Sequence, residues 1–186
     1  MLTLNFKQFP AITTTRLLLR EHSITDAPAL FKLRTNEDVM QFIHRERPKT
    51  IHDIETFIAS FNEGFKQGQH IAWVISLKEN PDQMIGSIGY WRTDFANHRA
   101  EIGYMLHPNH WRKGIVSEAL KATINFGFEE IKLHSIQANV APANEASQQI
   151  LLKHGFVKEG CFKEDHYFNG KFLDSEIYSL LNCNYV

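Results

Sequence analysis

Apolar and polar positions along the chain change period several times, and each change marks a different element. From position 51, Ile51, Ile54, Phe57, Ile58, Phe61 and Phe65 recur every three or four residues. This spacing predicts an amphipathic helix stopped by Gly68, with Asp53 and Glu55 favourably placed in its dipole field. Thr25-Asp26-Ala27-Pro28 predicts an earlier helix start, and Leu30, Phe31 and Leu33 supply the apolar face. A third helix follows residue 114, patterned by Val116, Leu120, Thr123, Ile124 and Gly127 and running to about Glu130. A fourth begins at Asn144-Glu145-Ala146-Ser147, faces Ile150 and Leu151 inward and stops at Gly155.

Short apolar runs predict strands over residues 14–20, 71–77, 84–91, 99–106, 135–140, 156–157 and 172–181. Gly86 and Gly89 weaken the third of these and mark a bulge or a close backbone approach. Asn169-Gly170 predicts a tight hairpin turn between the last two. Strand, helix and strand between residues 100 and 140 imply one parallel pair inside a mostly antiparallel sheet. The expected fold is α/β in the mixed, α+β sense: seven strands and about four helices, in one domain over residues 1–186.

One turn departs from ordinary helix chemistry. Pro108-Asn109-His110-Trp111-Arg112-Lys113-Gly114 puts two cations just ahead of a helix N-terminus, where partial positive charge normally attracts acids. An anion in the turn would reconcile them, taking backbone N–H groups, the dipole and both cations together. Gly114 leaves room for close approach. The alternative is a core helix with a basic first turn.

Composition narrows the function classes. The 186 residues include 20 basic and 21 acidic side chains, a net charge of -1, so no general pull toward nucleic acid or a membrane surface is expected. No stretch approaches the ~18 apolar residues of a membrane span, and residues 1–10 lack a signal-peptide pattern. Cys161 and Cys183 form no C-x-x-C. A cytoplasmic location is expected. The only close histidine pair, His107 and His110, has no neighbouring ligands in a zinc pattern, and no metal is expected.

Trp111-Arg112-Lys113-Gly114-Ile115-Val116 resembles the pyrophosphate-binding turn of the GNAT superfamily of acetyl-CoA-dependent N-acetyltransferases. Trp111 stands where Gln or Arg is usual, a choice familiar in the branch resembling ribosomal-protein N-terminal acetyltransferases, and Val116 stands where a small residue is usual. Asn144-Glu145-Ala146-Ser147 followed by Lys153-His154-Gly155-Phe156 is similar to the family's second motif. The order of elements resembles the GNAT fold across nearly the whole chain, with the parallel pair splayed around acetyl-CoA.

The resemblance implies site residues. Arg112, Lys113, Gly114, Ile115, Val116 and Ser117 would cradle the pyrophosphate, while Met105, Leu106 and His107 would offer strand backbone to the pantetheine arm. Asn139 and Asn144 complete the expected cofactor set. An N–H near Leu106 could also serve the thioester oxyanion. The tyrosine many relatives use as proton donor is replaced by Leu151, and Ser147 matches the donor of the ribosomal-protein branch. Its plainer role is a hydroxyl in the first turn of a helix. Glu101 is the first general-base candidate and His166 the second; Glu101 could instead be a strand residue paired across the sheet. The loop from His44 to Lys49 corresponds to a region lining the acceptor site.

The reading is transfer of acetyl from acetyl-CoA to a primary amine, foremost a protein N-terminus such as that of a ribosomal protein. Acetylation of a small amine and a non-catalytic acyl-CoA-binding module stay open as alternatives, as does a homodimer.

Overall fold

The computed structural model describes Leu2 and residues 4–185. Its centre is an eight-stranded sheet in the order β1-β2-β3-β4-β5-β6-β8-β7. The strands are β1 (Ile12–Thr13), β2 (Leu17–Arg20), β3 (Ile71–Leu77), β4 (Gly86–Asp94), β5 (Arg99–Leu106), β6 (Ser135–Val140), β7 (Val157–Phe168) and β8 (Lys171–Leu181). The helices are α1 (Ala27–Thr35), α2 (Glu37–Met40), α3 (Ile51–Lys66), α4 (Ile115–Phe126) and α5 (Glu145–Lys153). All neighbouring strands pair antiparallel except β5 and β6, joined by the α4 crossover. The count exceeds expectation by one strand and one helix. The additions are the two-residue β1 and the four-residue α2, both too short for periodicity to register.

Alternation along the strands sorts side chains between two layers. Trp73 and Ile75 of β3 join the main core with α4 and α5, while Val74 faces α1 and α3. The α4 face is rotated slightly from the expected one: Ile115, Ala119, Leu120, Thr123 and Ile124 are buried, and Val116 lies at the rim. Past Phe126 the helix widens into a π turn, Gly127–Ile131.

Local chemistry places the elements that matter. A Cβ at Gly89 would run into Ala72 of β3, which explains the glycine, and the β4–β5 register shifts beside it, between Tyr90 and Arg92. Asn169 and Gly170 turn β7 into β8 with φ of 48° and 80°, the left-handed pair a tight hairpin requires. Asp26 is almost fully buried and receives both Arg20 Nη atoms at 2.7 and 2.8 Å and the Ser23 amide at 2.8 Å, locking β2 to the start of α1.

His22 follows this lock. It is buried against the edge of Phe61, with Nε2 3.3 Å from Ser87 Oγ, and burial lowers its pKa from 6.5 to about 4. Native His22 is therefore neutral where the unfolded side chain gains a proton. Stability should be fully present above pH 6.5 and fall as pH drops towards 4, by about 2–3 kcal/mol from this residue. Thermal melts of His22→Gln across this range should show a flatter acid limb than the parent; an unchanged slope refutes the assignment.

Candidate active site

β5 and β6 are held together at one end only. Arg99, Ala100 and Glu101 pair with Ser135, Ile136 and Gln137, and beyond them the strands diverge. The His107 amide donates to Ile85 O at 2.8 Å. Antiparallel alternation therefore turns the backbone groups of Gly103, Met105 and His107 toward β4 and those of Tyr104 and Leu106 into the gap. Trp111 Nε1 donates to Leu106 O at 2.7 Å, so this carbonyl is occupied while the Leu106 amide faces the opening. Of the three strand residues expected to offer backbone, Leu106 is the one so directed, and sequence reading missed its neighbour Tyr104.

The turn after β5 is built for an anion. Arg112 and Gly114 both adopt left-handed backbone, φ 58° and 72°, and Gly114 caps α4 with no side-chain cap. The amides of Ile115, Val116 and Ser117 open the helix without carbonyl partners inside it. Glu118, the acid in that first turn, is drawn away: Thr14 Oγ1, the Arg16 amide and Arg16 Nε donate to it at 2.6, 2.8 and 2.7 Å. Burial raises its pKa, but these hydrogen bonds outweigh it and hold the pKa below the ordinary value. Arg16 Nη1 also donates to Lys113 O at 2.9 Å, tying β2 to the turn. Among the described residues neither Arg112 nor Lys113 has an acidic partner. Free amides, a helix dipole and two uncompensated cations fit a pyrophosphate.

Val116, half-buried, packs on the core. Ser117 Oγ lies 2.8 Å from His154 Nε2, linking the cradle to α5. Burial first, then Lys153 and Lys121, lowers the His154 pKa and keeps the imidazole neutral.

Facing the gap, Ser147 Oγ and Tyr104 Oη share a 2.7 Å hydrogen bond. Asn144 caps α5 by accepting the Ser147 amide at 3.2 Å, which fixes the serine in the first turn. Burial pushes the Tyr104 pKa up to about 12 despite the serine, so the phenol keeps its proton at neutral pH. No spacing rule singles out Tyr104. Leu151 is fully buried in the core, away from such chemistry.

A cavity of about 460 Å³ continues from this pair and includes Glu101, Asn139 and His166. Glu101 accepts from Arg92 Nη1 and Asn139 Nδ2, both at 3.1 Å, so the cross-strand pairing anticipated as its alternative role is present. Asn139 thus meets Glu101. His166 is exposed on β7, its ring 5.8 Å from that of His44 and its Nε2 3.3 Å from the His44 carbonyl. A register shift between Phe162 and His166 swings this stretch of β7 toward the cavity. Phe42, Ile43, His44 and Arg45 line the cavity too; of the loop expected there, His44 to Lys49, only the first two residues do so. Burial, then His166, lowers the His44 pKa. Among the described residues, no group of three or more His, Cys, Asp or Glu is placed to hold a metal, and no helix is long and apolar enough to cross a membrane.

Residues 16–157 match the family model described as an acetyltransferase (GNAT) domain. The chain belongs to the GNAT acetyltransferases. It is 35% identical over 173 residues to the uncharacterized N-acetyltransferase YoaA of Bacillus subtilis strain 168, covering 93% of this chain and 97% of that one. It is also 35% identical over 98 residues to the ribosomal-protein-serine acetyltransferase of Escherichia coli K12, 53% of this chain and 55% of that protein. The fold matches spermidine N-acetyltransferase from Vibrio cholerae, solved with CoA and spermine, at a TM-score of 0.81 and 22% identity, covering 92% and 99% of the two chains. This GNAT acetyltransferase uses acetyl-CoA, and the anion-ready turn beside unpaired strand backbone suits it.

Gly114 tests that fit. At φ 72° a branched residue strains the backbone by about 1–2 kcal/mol, and its Cβ meets only Arg16 Nη2 at 3.5 Å, so the space opens toward ligand. Gly114→Val should weaken CoA binding more than Lys113→Ala in titration calorimetry of folded protein. Equal affinities for Gly114→Val and the parent contradict the cradle.

Proposed function

We propose that this enzyme, a single-domain cytoplasmic protein, acetylates the α-amine at a protein N-terminus. The observation carrying the proposal is the hydroxyl pair of Ser147 and Tyr104 beside the strand gap. Acetyl-CoA brings the activated acetyl thioester. Arg112, Lys113 and the amides of Ile115, Val116 and Ser117 hold its pyrophosphate, and Gly114 permits their approach. The Leu106 amide points where a thioester oxygen can accept its hydrogen bond. When Tyr104 is the donor in its hydrogen bond with Ser147 Oγ, the serine proton is free to be offered to the departing thiolate.

The amine must be neutral when it attacks. An α-amine, with pKa ~7.7–8.0, needs little help at neutral pH, whereas a lysine at ~10.4 needs a strong base. Glu101 is already engaged by Arg92 and Asn139, and His166 is exposed, which suits the easier amine. The ribosomal-protein acetyltransferase relative points the same way. The likeness to a spermidine enzyme keeps small-amine acetylation as the competing reading.

Two tests separate these. With a peptide offering a free N-terminus and blocked lysines, and its mirror with a blocked N-terminus and free lysines, acetylation at pH 7 should favour the first. Glu101→Gln should slow it less at pH 9 than at pH 7, because the amine loses its proton unaided. Preference for the second peptide defeats the proposal; inactivity on both with rapid polyamine turnover promotes the small-amine reading.

The hydroxyl pair makes its own prediction. Ser147→Ala should lower kcat about tenfold or more with CoA affinity nearly intact. Tyr104→Phe should lower it less, and the double variant should be no slower than Ser147→Ala alone, since the tyrosine acts through the serine. Additive losses, or equal losses in CoA affinity, remove this arrangement.

A further inference from the structure

The formal charges lining the cavity balance, but their pairing does not. Its acidic lining residues are Glu101, Asp165 and Asp174, and its arginines are Arg34, Arg45 and Arg92. Arg92 belongs to Glu101 at 3.1 Å, and Asp174 is held by Lys163 Nζ at 2.7 Å and the Glu164 amide at 3.0 Å. Asp165, exposed on β7, therefore stands against two arginines. Among the described residues, neither Arg34 nor Arg45 has a carboxylate within ion-pair reach, although nearby Arg47 has Glu37 at 3.8 Å.

The two arginines are also positioned rather than loose. Arg34 projects from α1, half-buried, with its guanidinium 4.8 Å from the centre of the Phe57 ring. Arg45 lies 6.0 Å from the centre of the Trp91 ring. Aromatic faces hold a guanidinium without neutralising it or consuming its hydrogen-bond donors. Burial, and then repulsion from Arg45, lowers the Arg34 pKa, so the two cations sense each other across the cavity wall. Unpaired donors in a fork geometry, half-buried at Arg34 and exposed at Arg45, are the arrangement that recognises a planar carboxylate. A polycation would meet repulsion there.

We propose that the acceptor carries a carboxylate close to its reactive amine, seated on Arg34 and Arg45; in a protein acceptor this is an Asp or Glu among the first few residues. The inference rests on the acetyltransferase reading of the cleft and narrows its acceptor class. The carboxylate docks against α1 and the loop after α2, while the amine reaches toward Glu101 and the strand gap.

The test uses three C-terminally amidated, lysine-free peptides: Ser-Asp-Glu-Gly-Gly, Ser-Gly-Gly-Gly-Gly and Ser-Arg-Arg-Gly-Gly. Acetylation is followed by thiol release and mass spectrometry. The parent enzyme should favour the acidic over the basic peptide by about tenfold or more in kcat/KM, mostly through KM, with the ratio shrinking at high salt. In Arg34→Gln/Arg45→Gln the ratio should fall to about one. Lys32→Gln, exposed on α1 and outside the cavity lining, should keep the parent's ratio. CoA affinity and melting temperature show that each variant is folded. Equal rates for the acidic and basic peptides, or a ratio surviving in the double variant, would overturn the proposal. A further arm compares glutamate with spermidine. Inactivity on all peptides with glutamate preferred would reject the protein N-terminus and support the anionic acceptor; preference for spermidine, or inactivity on every amine, would overturn it.

Discussion

Everything at the site depends on two parallel strands that stop pairing halfway. Separating β5 from β6 inside a sheet exposes backbone donors and acceptors, and such groups are costly unless something meets them. Trp111 meets one by capping the Leu106 carbonyl, and the Tyr104–Ser147 bond spans from β5 to α5. The Leu106 amide is left for a ligand. Antiparallel strands flank the pair and carry the sheet's continuity, β4 beside β5 and β8 beside β6, so the opening does not unravel the fold.

The same economy governs charge. At the cradle an acid that would neutralise the turn is instead committed to Thr14 and Arg16, and Arg16 in turn grips the Lys113 carbonyl. Withdrawing Glu118 leaves Arg112 and Lys113 available for phosphate, while the ion pair braces the turn from behind. At the acceptor side, Arg92 and Lys163 satisfy two acids and leave Arg34 and Arg45 unspent. The turn after β5 and the proposed acceptor side thus each leave two cations unpaired among the described residues, with the neutral hydroxyl pair between them.

Linkage between motifs explains why the site holds its shape. Ser117, inside the cradle, bonds His154 on α5, and α5 carries Ser147. The turn after β5 and Ser147, the proposed proton donor, are therefore members of one braced unit. His44 and His166 form a looser contact at the far rim, between the loop after α2 and β7.

Much of this was legible in the order of residues. Period-3.6 and period-2 patterns located the four longer helices and six strands, because burial of one face leaves a mark on every third, fourth or second position, but they caught only the first residue of β7, whose exposed side chains carry no such mark. Arg112, Lys113 and Gly114 pointed to an anion site, since cations ahead of a helix contradict its dipole and a left-handed turn wants glycine. Ser147 and Asn144 stood out through capping chemistry and the family's second motif. What only the tertiary structure decided involves partners distant in sequence. Nothing local pairs Tyr104 with Ser147, Arg16 with Glu118, or Glu101 with both Arg92 and Asn139, because sheet registry and the α4 crossover bring them together. The freedom of Arg34 and Arg45 is likewise a tertiary property: an arginine is unpaired only by virtue of what the folded chain places beside it.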